Sequence, residues 1–76
     1  MKIKIGDLVR IPKNLSHTTH SLWLNSQKIT HLPNYLSGTW YPNDIALVVE
    51  ANEYNVKIFT ARSSGWIRKE YCEIIK

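Results

Sequence analysis

The chain has 76 residues and carries a formal charge of +4, enough for one domain near the lower size limit of a self-sufficient core, with roughly 60% of its unfolded surface buried on folding. Its 43% hydrophobic and 21% charged content excludes wholesale disorder, and its single cysteine, Cys72, excludes a scaffold stapled by disulfides. No run approaches the ~18 apolar residues of a membrane-spanning helix, and Gly6-Asp7 interrupts the opening before a signal-peptide core develops.

Lys4 to Ile11 alternates after the Gly6-Asp7 turn, placing Val9 and Ile11 on one face and Leu8 and Arg10 on the other before Pro12 ends the segment. This predicts a first strand. Residues 13–43 form a long excursion in which, from Leu15 to Asn43, Lys28 is the only formal charge. All three histidines and two of the three tryptophans lie there, whereas solvated linkers carry charge and few aromatics. A connection of this length is functional or holds structure of its own, and a folded-back loop with a short hairpin or helical turn around Ser21 to Thr30 is expected.

After the excursion the signals become dense. Ile45 to Ala51 is a β-branched run, Asn52-Glu53-Tyr54-Asn55 is a turn cluster, and Val56 to Thr60 alternates with period two. Arg62 to Gly65 supplies another turn, Trp66 to Arg68 another strand, Lys69 to Tyr71 a single helical turn, and Cys72 to Ile75 a short final strand. About five strands without long crossover connections cannot make a parallel sheet, so an all-β, small antiparallel barrel is predicted, with one long loop between strands one and two. Its expected core is Val9, Ile11, Leu47, Val49, Val56, Ile58 and Ile74, with Arg10, Val48, Lys57 and Glu73 on the opposite face.

Catalytic chemistry finds little support. The three glycines are isolated at turns, with no phosphate loop, nucleophile elbow or dinucleotide fingerprint. Asp7, Glu50, Glu53, Glu70 and Glu73 each have a turn-related reading, and Cys72 alternates as a small buried hydrophobe rather than an exposed nucleophile. His17, His20 and His31 lack a fourth ligand, so they read as solvated or locally bonded side chains and not as a zinc site. The expectation is a protein that is not an enzyme and uses no cofactor or metal.

The aromatics point elsewhere. With Val56 and Ile58 inward, Phe59 faces outward, and Trp66 shares that face close to Trp40 and Tyr41. Together with Trp23 and Tyr35 from the excursion, these residues are the candidates for contact with a protein partner or a second copy. The competing reading is that the loop folds over the rings and closes a second small core. Lys13, Arg62 and Arg68 are the candidate phosphate contacts of a nucleic-acid-binding alternative, disfavoured because the aromatic-rich segment is almost uncharged.

The ordered segments Ile5-Gly6-Asp7-Leu8-Val9-Arg10-Ile11, Asp44 to Glu50, Val56 to Phe59, Gly65-Trp66-Ile67 and Glu70 to Ile75 cover about half of the chain. In these segments the sequence resembles small SH3-like barrel proteins, above all the short ones encoded by tailed bacteriophages. It departs from their pattern at Ala46, where glycine is frequent, at Cys72, where leucine is frequent, and in the long uncharged loop. The resemblance implies one SH3-like barrel over residues 1–76, acting in protein interaction or assembly as a virion component or host-protein binder in the host cytoplasm or virion, not secreted. Such barrels host many functions, so the fold alone does not choose among them.

Overall fold

The computed structural model describes residues 2–15, 18–26 and 36–75. Among these, seven strands form one wholly antiparallel sheet: β1 (Leu8–Arg10), β2 (His20–Trp23), β3 (Leu36–Trp40), β4 (Ala46–Ala51), β5 (Asn55–Phe59), β6 (Ser64–Arg68) and β7 (Glu73–Ile74), in the order β3-β2-β6-β5-β4-β1-β7. Lys13–Leu15 and Lys69–Tyr71 are single 3-10 turns, the second at the position where the sequence predicts a helical turn. The fold is therefore all-β, as expected, but with seven strands rather than about five.

The two additional strands come from the excursion. Among its described residues β2 and β3 pair as a hairpin, and β2 joins the rest of the sheet by setting Trp23 opposite Trp66 of β6. Composition conceals these strands because Ser, Thr, Gly and His dilute the alternation that marks a half-buried strand. Close approach of the hairpin to β6 is possible only over small residues. A Cβ at Gly65 would stand 2.6 Å from the Leu22 Cβ and 2.9 Å from the Trp23 carbonyl, and the φ of +155° there also disfavours a side chain. Hydroxyls lock the crossing, Ser37 donating to the Ser64 carbonyl at 2.6 Å and Ser63 to the Thr39 carbonyl at 2.7 Å.

The meander β4–β5–β6 is built from local turn chemistry. The Asn52 carboxamide oxygen accepts from the Tyr54 and Asn55 amides at 3.1 and 2.8 Å, and the Thr60 hydroxyl accepts from those of Arg62 and Ser63 at 3.1 and 3.0 Å. At the start of β1, Asp7 accepts from the Lys4 amide while Gly6 takes the positive φ of 96° that the turn requires.

The core holds Ile3, Val9, Ile11, Leu22, Trp40, Ala46, Val48, Val56, Ile58, Ile67 and Cys72, with Ile74 partly buried against it. Two expectations are corrected. In β4 it is Ala46 and Val48 that face inward, while Leu47 is 42% exposed and Val49 only partly buried. The run from Ile45 to Val49 is apolar on both faces, so hydrophobicity cannot select its phase; the backbone does, with Gly6 donating to the Val48 carbonyl at 2.8 Å and the Val48 amide donating to that of Asp7 at 2.9 Å. Trp40 is the second correction. It is fully buried, with its indole N–H donating to the Asp44 carbonyl at 3.0 Å, and it supplies core bulk instead of a surface ring.

Candidate functional site

Three elements converge on one side of the sheet. The turn between β4 and β5 is tied to the second 3-10 turn because the Lys69 amide donates to the Tyr54 carbonyl at 2.9 Å. The β2–β3 hairpin is tied to β5 because the Asn55 side-chain NH2 donates to the Ser26 carbonyl at 2.7 Å. Between these elements lies a groove of about 1000 Å³, walled by His20, Trp23, Tyr54, Arg68 and Tyr71. It continues past Tyr54 into a depression of about 360 Å³ that also borders Lys69 and Glu70. The two share Glu53, Tyr54 and Arg68 and so adjoin one another.

Beside the groove the fold leaves two buried polar atoms without a partner among the described residues. Asn55 is only 9% exposed, and its Oδ1 has no partner among the described residues. Its orientation follows from the Ser26 carbonyl, which must face the amide's NH2 and not its oxygen. His20 packs its ring 5.1 Å from that of Tyr71, and its Nε2 is likewise buried without a partner. Burial lowers the His20 pKa, partly offset by a bond to the Leu15 backbone, so the ring is neutral at pH 7.

The sequence candidates divide into separate places. Trp23 and Trp66 oppose one another across β2 and β6, on the side away from Leu22 and Ile67, and each is 8% exposed. They are buried outside the main core, and Trp23 also borders the groove. Trp40 is interior. Phe59 is half exposed, with the Lys57 ammonium 6.0 Å from its ring centroid. Tyr41 is exposed under the Arg62 guanidinium, 4.5 Å from the ring centroid. Tyr35 lies outside the described residues, as do Lys28, His17 and His31. Composition alone points to none of Tyr54, Tyr71 or Asn55, and His20 enters only as a metal candidate. Their signal is positional, an aromatic in a tight turn and another in the 3-10 turn that the fold brings beside it.

The basic residues of the nucleic-acid alternative do not gather. Arg62 pairs with Asp44 at 3.3 Å and Arg68 with Glu70 at 3.1 Å, and they flank opposite ends of β6; Lys13 lies in the first 3-10 turn. Cys72 is fully buried, and burial pushes its thiol pKa up to about 12, far from the range of a reactive thiolate. Among the described residues no three His, Cys, Asp or Glu side chains could hold a metal ion, and no helix is long and apolar enough to cross a membrane. No protein-family model, curated protein or solved structure matches this chain.

Proposed function

We propose that this chain is a non-enzymatic protein-interaction module that takes an extended segment of a partner protein in the groove between the β2–β3 hairpin, the β4–β5 turn and the second 3-10 turn. The observation that carries this reading is a groove of about 1000 Å³ walled by the aromatic rings of Trp23, Tyr54 and Tyr71, with Tyr54 the most exposed of them. An extended peptide supplies one backbone N–H per residue and side chains that lie on aromatic walls. The resemblance to small phage SH3-like barrels adds the class of scaffold and a partner among virion or host proteins.

The test is affinity for peptides selected from a displayed library, measured by fluorescence anisotropy. Tyr54 is 71% exposed, so removing it should leave the melting temperature unchanged. Tyr54→Ala is expected to weaken the selected peptide about tenfold or more, the loss of an aromatic anchor. Binding indifferent to Tyr54→Ala, or binding only of polyanions with a steep salt dependence, overturns the reading in favour of another surface or of nucleic acid.

A further inference from the structure

Strands β2 and β6 are neighbours in the sheet, yet their pairing consists of Trp23 opposite Trp66 alone. The β5–β6 ladder fixes the direction in which the backbone groups of β6 point. At its two ends the Lys69 amide donates to the Tyr54 carbonyl at 2.9 Å and the Thr60 amide to the Ser63 carbonyl at 2.8 Å. Bonded and non-bonded pairs alternate along an antiparallel ladder. Gly65 and Ile67 therefore bond to β5, while Trp66 and Arg68 turn their N–H and C=O groups away from it, toward β2.

The same alternation holds along β2. Trp23 faces Trp66, so Ser21, two residues earlier, also turns its backbone groups toward β6. The register of the two tryptophans, continued by two residues on each strand, sets Ser21 opposite Arg68. These two do not pair, and both line the groove. The groove is thus a gap in the sheet itself, opening beyond the tryptophans, with strand backbone on each bank. The Arg68 carbonyl is met by the Cys72 thiol at 3.7 Å, a weak donor that does not replace a ladder bond. Strand edges left in this state are templates for pairing with another chain.

We infer that the partner segment enters this groove as an added strand, its backbone pairing with that of Ser21 and Arg68. This rests on the peptide-binding reading of the groove and specifies how the peptide is held. Because β2 and β6 are antiparallel, the added strand runs parallel to one of them and antiparallel to the other. Its backbone groups turn alternately to the two banks. Its side chains turn alternately to the two faces, one carrying Trp23 and the other the His20–Tyr71 ring pair. The occupant is an extended polypeptide stretch without proline at the paired positions, because proline brings no N–H. A nucleic-acid strand offers no matching row of N–H and C=O groups.

The backbone itself supplies the test. Arg68 has a φ of −68°, the value proline adopts, follows a residue in extended conformation, and does not use its N–H in the β5 ladder. Arg68→Pro therefore deletes one N–H from the groove and leaves the sheet intact, while Arg68→Ala controls for the guanidinium and its bond to Glu70. Against a peptide selected from a displayed library, Arg68→Pro should bind about fivefold more weakly than Arg68→Ala, the factor that one hydrogen bond is worth. Replacing single amides of that peptide by esters should cost a similar factor at two or more consecutive positions. The ester scan uses the wild-type chain, so it decides the matter even if the proline variant does not fold. A peptide that needs Tyr54 but is indifferent to its own esters overturns the added strand and leaves the groove as the binding site. If no selected peptide depends on Tyr54, both readings fall.

Discussion

The meander β4–β5–β6 and the β2–β3 hairpin occupy the same sheet but are specified by different means. Each meander turn is closed by a side chain within three residues, Asn52 at one and Thr60 at the other. The hairpin instead leans on distant partners: Ser37 on the Ser64 carbonyl, Ser63 on that of Thr39, and Asn55 on that of Ser26. Both give ordered strands, and the difference teaches that a segment poor in charge and alternation can still be strand when the groups it needs are supplied from elsewhere in the chain.

The largest expected effect comes from removing what the two regions share. Trp40 ends β3, is fully buried, and packs in the core formed by the meander. Trp40→Ala should cost about 3–5 kcal/mol, a large part of what a small domain has. Chemical denaturation should then show the hairpin and meander losing structure in one transition. Separate transitions would break the comparison by making the hairpin an independent unit.

A smaller loss is expected from local turn chemistry. Asn52→Ala removes two hydrogen bonds to backbone amides and should cost about 1–2 kcal/mol. Amide hydrogen exchange should accelerate around 52–55 more than in the hairpin, and equal acceleration in both would show that the turn is not a local device.

The smallest effect is pH-dependent and sharpens the comparison within the hairpin. Burial lowers the His20 pKa in the folded chain, so the unfolded chain takes up a proton first as pH falls. The stability associated with the neutral ring is thus present above the usual histidine value of 6.5 and is lost as pH falls from there through the lowered folded value. His20→Gln should flatten the melting temperature between pH 7 and pH 5, the range about 6.5 where an ordinary histidine titrates. A profile unchanged by that substitution would assign the dependence to other groups.

Much of the meander was legible because its signals are local. Asn52 sits where the first turn is, Val56 and Ile58 alternate cleanly, and Lys69 to Tyr71 does form one helical turn, while the second turn falls at Thr60 to Ser63, ahead of the expected Arg62 to Gly65. The phase of β4 was not legible, because Leu47 and Val48 are equally apolar and the choice rests on backbone bonds from Gly6 and Asp7, forty residues away in kind rather than in pattern. Nor was the groove. Its walls come from four separate stretches of chain, and Asn55 matters through an oxygen left without a donor, a property of the folded arrangement and not of the residue type.

One pairing has a kinetic side. Strand β1 has no partner near it in sequence: it lies between β4 and β7, and the Arg10–Glu73 bond closes across 63 residues. The meander, whose neighbours are joined by tight turns, has little loop-closure entropy to overcome, whereas β1 and β7 must find each other across nearly the whole chain. The meander is therefore expected to form first and to act as template, and β1, the first strand of the chain, to be among the last to join it. Until it does, Ala46 and Val48 lack their neighbour and Leu47 is no more exposed than they are, so the distinction between the core and outer faces of β4 is itself a late event in folding.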